Sequence, residues 1–205
     1  METYVANYPN IGYVGSVCTD MELYAIKNEI AEIQSDFGSH DTAEHGHAGN
    51  LQKEYVLKKS RKALQNIVLP LVETFKEHNK LFKCEDRELE LKHAWVNYQS
   101  KHEYFAPHTH KGLFSFALWI QVPFTLEQEY AHLRKHGKQI DTVSSFVFHY
   151  TSTYGQIIPH TIRVDKEYEN QIILFPGNTV HSVQPFYSSD EYRITVSGNI
   201  DYKED

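Results

Sequence analysis

Two stretches in the first third of the chain repeat apolar residues at helical spacing. Leu23, Ile26, Ile30 and Ile33 follow one another at steps of three and four, which predicts a helix over 20–37 with Asp20 as N-cap and Gly38 as stop. Leu64, Ile67, Val68, Leu71 and Phe75 mark a second helical segment from Ser60 to about His78 and Asn79. Pro70 falls inside it; the ring fixes φ and removes an N–H, so the segment is either a kinked helix or two short helices with Pro70 opening the second. Between them SHDTAEHGHAGN (39–50) reads as a polar loop, solvated or acting as a lid, and its three histidines stand on no regular element.

After about residue 88 the period changes to two. LKHAWVNYQ (91–99), LFSFALWIQV (113–122), SSFVFHY ending at Tyr150, HTIRVD (160–165), NQIILF (170–175) and YRITVSGNI (192–200) are rich in β-branched and aromatic residues and are separated by turn-forming or charged breaks. Residues 125–141 are polar and read as a loop or lid. The expected fold is α+β and mainly β, a sandwich or jelly roll buttressed by helices. It forms one domain over 1–205, with a helical part at 1–88 and the β core at 89–205.

Composition narrows the chemistry. The 205 residues carry 27 acidic against 20 basic side chains, a formal charge of -7, with 13 histidines and two cysteines. Two isolated thiols, Cys18 and Cys84, provide neither a disulfide framework nor a cysteine-based metal site, so any metal must be held by histidine. The acidic balance disfavours a nucleic-acid partner, and the short basic run HLRKHGK (132–138) is either a solvated loop or the border of a local groove. The N-terminus shows no signal-peptide pattern and no stretch is long enough to span a membrane, which places the expected protein in the cytoplasm.

The chemistry-bearing residues lie in two segments. In Pro107-His108-Thr109-His110-Lys111-Gly112 the two histidines stand at i and i+2, a spacing that puts both on one face of a strand. In FPGNTVHSVQPFYSSDEYRITVSGN, His181 follows a strand and a turn; Arg193 comes twelve residues later, with Thr195, Ser197 and Asn199 on the arginine's face of the same strand. Three imidazoles can form a facial metal site, and a guanidinium with a neighbouring hydroxyl suits a carboxylate. Asn97 and Gln99 share one face of WVNYQ, either lining the same space or lying on an outer sheet face; Trp95 and Trp119 read as core.

With a gap of 71 residues from HTH to His181 and twelve more to Arg193, this arrangement resembles the Fe(II)/2-oxoglutarate dioxygenases. WVNYQSKHEYFAPHTHKGLFSFALWIQVPF and IILFPGNTVHSVQPFYSSDEYRITVSGNI are similar to the small, prolyl-hydroxylase-like oxygenases encoded by marine cyanophages, as is HAGNLQKEYVL (47–57). The resemblance covers about residues 47–200. It implies a double-stranded β-helix, with His108, His110 and His181 as both metal ligands and catalytic centre. Arg193 would pair with the distal carboxylate of 2-oxoglutarate, helped by Thr195 or Ser197, with Asn97 and Gln99 lining that pocket. It also implies Fe(II), 2-oxoglutarate and O2 as cofactor and cosubstrates, decarboxylation to succinate, and hydroxylation of a C–H bond, by analogy in a protein or peptide side chain.

The chain departs from the wider family at His110, which stands where a carboxylate is usual. Either it ligates, giving three neutral ligands, or it turns away and leaves a position for a halide or water. Two other classes remain open: a cupin-type metal enzyme independent of 2-oxoglutarate, in which Arg193 would lack a task, and a non-catalytic jelly-roll binding protein.

Overall fold

The computed structural model describes residues 2–6, 12–43, 49–138 and 140–204. Strands β1 (Glu2–Ala6), β2 (Tyr13–Val17), β3 (Glu54–Val56), β4 (Leu89–Gln99), β6 (Phe114–Gln121), β9 (Gln171–Pro176) and β11 (Arg193–Tyr202) form a seven-stranded antiparallel sheet ordered β1-β2-β9-β6-β11-β4-β3. Strands β5 (Phe105–His108), β10 (His181–Val183), β7 (Phe146–Thr151) and β8 (Ile157–Ile162) form the second sheet, ordered β5-β10-β7-β8. The expected helix-buttressed jelly roll is the architecture found. The part before residue 88 is less helical than its periodicity implies, since β1 and β2 extend the large sheet beyond β9 and β3 extends it beyond β4.

Helix α1 (Asp20–Ser35) is capped by Thr19 rather than Asp20: Thr19 Oγ1 accepts from the Glu22 N–H, and the Glu22 carboxylate accepts from the Thr19 N–H at 2.8 Å. This reciprocal pairing satisfies two N–H groups that the first turn leaves open. Helix α2 (Arg61–His78) runs unbroken through Pro70. Pro70 and Asn66, whose carbonyl loses its partner, are both exposed, so water can serve the freed oxygen. The buried carboxylate of Glu29 on α1 joins the helices by accepting from the backbone of Lys58, Lys59 and Ser60 and from the Ser60 hydroxyl. Residues 125–141 contain a helix where a loop was expected, α3 (Leu126–Lys135), opened by a Thr125–Gln128 capping box. Strand β8 begins before the expected His160 and passes through Pro159, tolerated because β8 is an edge strand. At the start of the 39–50 loop, Ser39 ends a short 3-10 turn (Phe37–Ser39), and residues 44–48, with two of the three histidines, lie outside the described residues.

Two apolar cores result. One lies between α1, α2 and the outer face of the large sheet, with Leu23, Ile26, Leu64, Val68, Val96, Tyr98, Ile194 and Val196. The other lies between the sheets, with Ala117, Trp119, Ile173 and Phe175 facing Phe146, Phe148 and Ile162. Beside this second core the sheets stay apart and enclose a cavity of about 790 Å³.

Candidate active site

His108 and His181 are brought together by strand pairing. They are directly opposed in the β5–β10 ladder, and their ring centroids lie 4.4 Å apart. His110 arrives differently from the shared-face expectation, because β5 ends at His108. Its backbone N–H donates to Gly177 O at 2.8 Å, and Gly177 N–H returns a bond to Leu113 O at 3.0 Å. These bonds clamp the turn after β9 against the turn after β5. The approach requires glycine: a Cβ on Gly177 would stand 2.5 Å from the carbonyl oxygen of Gly112, and Gly112 itself has φ +99°. Pro176-Gly177-Asn178 and Lys111-Gly112 therefore set the spacing between the two histidine segments.

The ligand atoms of His108, His110 and His181 lie within 4.8 Å of one another, and His110 Nε2 is 3.2 Å from His181 Nε2. The Nδ1 of His108 lies 2.7 Å from Ala106 O and that of His181 2.9 Å from Thr179 O. A carbonyl oxygen only accepts, so each Nδ1 carries the proton and each Nε2 presents a lone pair. His181 is buried against Phe146, Phe148 and Phe175, and its proton affinity falls well below the usual imidazole range through burial first and the neighbouring imidazoles second. Imidazole nitrogens converging from three sides fit a divalent transition metal; two ligands at right angles about 2.1 Å from an ion stand roughly 3 Å apart, close to the His110–His181 separation. His110 faces this centre rather than turning away.

Arg193 lies on the inner face of β11 and lines the same cavity at 1% exposure. Its Nε–H and one Nη2–H donate to Gln99 Oε1 (3.1 and 2.6 Å), the other Nη2–H to Gln184 O (2.9 Å), and one Nη1–H to Ser144 O (2.6 Å). Phe124 and Phe186 flank the guanidinium carbon at 6.0 and 5.6 Å. All of these partners are neutral, and no carboxylate among the described residues forms an ion pair with it. Burial pushes the guanidinium down to about 9, opposed by the more distant Glu129 carboxylate, so it stays cationic at neutral pH. One N–H and the full charge remain for a ligand.

Asn97 faces Thr195 across the β4–β11 ladder. Its Nδ2 donates to Thr195 Oγ1 at 3.3 Å and Ser197 Oγ at 3.4 Å, leaving both hydroxyl protons free to point elsewhere. Asn97 Oδ1 is buried without a hydrogen-bond partner. Gln99 is committed to Arg193 and, through Nε2, to Glu103 O at 2.6 Å. Trp95 and Trp119 are buried as expected, and both also line the cavity, with Trp95 5.7 Å from the His110 ring. None of the basic run 132–138 lines the cavity.

Two contributors escaped the sequence reading. Glu54, buried on the three-residue strand β3, lines the cavity opposite Asn97, and nothing periodic marks so short a strand. Glu129 on α3 accepts from Tyr187 N–H, Ser188 N–H and the Ser188 hydroxyl, anchoring the loop whose Gln184 carbonyl holds Arg193. The readable signal for α3 was its T-x-x-Q capping box, Thr125 to Gln128.

The sequence profile of a family described as "Putative 2OG-Fe(II) oxygenase" matches residues 93–199, just over half of the chain and the span that holds the three histidines and Arg193. The chain belongs to the 2OG-Fe(II) oxygenases. The cofactor and cosubstrates of this oxygenase are accordingly Fe(II), 2-oxoglutarate and O2, and its histidine triad fits the iron.

Solved structures of similar fold include a prolyl-4-hydroxylase from Pseudomonas putida (TM-score 0.54, 11% identity, 96% of this chain and 95% of that chain). A prolyl hydroxylase from Trichoplax adhaerens, in complex with a hypoxia inducible factor peptide fragment, gives a TM-score of 0.56 at 8% identity over 95% and 84% of the two chains. The viral collagen prolyl hydroxylase of Paramecium Bursaria Chlorella virus-1, as its 2-oxoglutarate complex, gives 0.51 at 13% identity over 92% and 94%. No curated protein matches the oxygenase in sequence. No helix among the described residues is long and apolar enough to cross a membrane.

Proposed function

We propose that His108, His110 and His181 hold the Fe(II), that Arg193 with Thr195 and Ser197 binds the distal carboxylate of 2-oxoglutarate, and that the oxygenase hydroxylates a side chain of a protein or peptide. The observation that carries this reading is Arg193, a buried cation with only neutral partners in the wall of the cavity onto which three imidazole nitrogens converge. With Fe(II) bound, 2-oxoglutarate and O2 supply the oxidation, yielding succinate, CO2 and a hydroxyl group on a substrate carbon.

The protein's part is positional. Gln99 and the carbonyls of Ser144 and Gln184 hold the guanidinium fork in one orientation, which lowers the cost of ordering it on binding. Asn97 donates to the hydroxyl oxygens of Thr195 and Ser197, so their protons can turn to an anion beside Arg193. His108 and His181 are held as ligands by carbonyls two residues before each. Trp119, Phe146 and Phe175 give the cavity an apolar wall that limits water near the reacting carbon.

A peptide substrate is supported by the Trichoplax fold relative, whose structure contains a peptide. A cytoplasmic location suits the two free cysteines, Cys18 being buried with its thiol pushed up to about 12 by burial and the nearby Glu22. A cupin-type activity without 2-oxoglutarate is not supported, because it leaves Arg193 without a task.

The test is anaerobic calorimetry with Fe(II) and then 2-oxoglutarate. The wild type is expected to bind one Fe(II) per chain and then 2-oxoglutarate. Arg193→Gln should keep the iron and lose about 2–5 kcal/mol of 2-oxoglutarate binding, the cost of truncating one partner of a buried charge pair. Unchanged 2-oxoglutarate affinity in that variant would overturn the cosubstrate assignment.

A further inference from the structure

Two of the three groups that hold the Arg193 fork lie outside the large sheet. Gln99 Oε1 reaches it from β4, but the carbonyls of Ser144 and Gln184 belong to the segments before β7 and after β10. Those segments hold each other: Ser144 N–H donates to Pro185 O at 2.9 Å, and Gln184 N–H to Ser145 O at 2.8 Å. Ser144 is fully buried at φ +59°, a conformation few L residues adopt, and its hydroxyl donates to Val164 O at 2.9 Å. Backbone that belongs to no strand therefore aims both carbonyls at the guanidinium, and their position depends on what pins it.

The pin is α3. Glu129, 0% exposed, places one carboxylate oxygen on Tyr187 N–H and the other on Ser188 N–H, each at 2.8 Å, with the Ser188 hydroxyl as a third donor. In sequence between Gln184 and these amides stands Phe186, buried and stacked on Phe124 at 4.7 Å; the two rings flank Arg193. The Tyr187 ring meets His102 at 5.2 Å and His132 of α3 at 6.1 Å, centroid to centroid. A buried carboxylate is costly unless several donors meet it. Glu129 has three, all from the segment that carries the Gln184 carbonyl. Its charge acts in the opposite sense, because a carboxylate near Arg193 weakens the attraction for an anionic ligand. The two roles predict opposite signs for its removal.

We propose that Glu129 is a positioning residue for the cosubstrate: through residues 184–188 it fixes the Arg193 fork, and so sets the preference for a 2-oxo acid that has a distal carboxylate. This rests on the reading above, that Arg193 takes the distal carboxylate of 2-oxoglutarate. It extends the cosubstrate site to a helix none of whose residues lines the cavity.

The test compares 2-oxoglutarate with pyruvate, which offers the same chelating oxygens and no distal carboxylate, by anaerobic calorimetry on the Fe(II)-loaded protein. The wild type should bind 2-oxoglutarate more tightly. In Glu129→Gln the amide keeps the shape but accepts through one oxygen only, which leaves a buried N–H without a partner. That variant should lose at least about tenfold in 2-oxoglutarate affinity. Its Fe(II) and pyruvate affinities should stay within about twofold of the wild type. Ser188→Ala, at an exposed position, removes only the hydroxyl; it should lose about threefold, and it decides the question where the glutamine variant does not fold. An unchanged or raised 2-oxoglutarate affinity in the deciding variant would overturn the proposal, and so would an equal loss for pyruvate, the mark of a general effect on the fold. A wild type that binds both 2-oxo acids equally, or an Arg193→Gln variant that keeps its 2-oxoglutarate affinity, would instead remove the cosubstrate reading, and this proposal with it.

Discussion

The two faces of the large sheet are built from the same strands and do opposite work. On β11, Ile194 and Val196 pack beneath the helices, while Arg193, Thr195 and Ser197 alternate with them into the cavity. On β4, Val96 and Tyr98 face the helices, while Trp95, Asn97 and Gln99 face the cavity. The outer face is an apolar layer stabilised by burial. The inner face carries a buried guanidinium held by neutral partners, a buried carboxyl and an amide oxygen without a hydrogen-bond partner, polar groups whose burial costs stability. One face stabilises the fold, and the other holds polar groups in readiness for ligands.

That contrast can be broken at several points. The largest effect is expected at the metal centre: His181→Ala should weaken Fe(II) binding by more than about a hundredfold, beyond what loss of an outer-shell partner costs, as read by anaerobic metal titration. The Arg193→Gln loss in 2-oxoglutarate affinity comes next.

Glu54→Gln should act in the other direction on stability. Burial and the Glu103 charge push the Glu54 carboxyl up to about 7 in the folded protein, from an ordinary value of 4.5, so the folded protein binds more protons between these values. Its contribution is therefore most favourable below the unfolded value and is lost as pH rises through 7. Denaturant unfolding should show the glutamine variant gaining on the wild type by about 3 kcal/mol between pH 4.5 and 8. A pH-independent difference would show that the Glu54 carboxyl is not held protonated by its surroundings. The smallest effect belongs to the outer face. Ile194→Val should cost about 0.5–1.5 kcal/mol of stability and leave 2-oxoglutarate affinity unchanged; a shift in that affinity would show that the two faces are coupled.

The alternation that separates the faces was plain along R-I-T-V-S at 193–197, because a central strand with one apolar and one polar side prints its period directly. Helices α1 and α2 were equally visible, since each repeats apolar residues at helical spacing over several turns. Three things were hidden. Helix α3 has only Leu133 as a buried apolar residue, so no row of apolar residues at helical spacing marks it in a polar segment. Strand β3 is too short to show a period, and Glu54 went unnoticed with it. The position of His110 depends on bonds to Gly177, 67 residues away, and strand geometry placed it near His108 for a reason the backbone does not use.

The central claim is that three histidines, with no carboxylate among them, hold the iron. Crystals grown anaerobically with Fe(II), with anomalous differences collected at the iron edge, test it most directly. The account predicts one peak at bonding distance from the Nε2 atoms of His108, His110 and His181. Absence of a peak there, or a peak bound by His108 and His181 with His110 turned away, would contradict it.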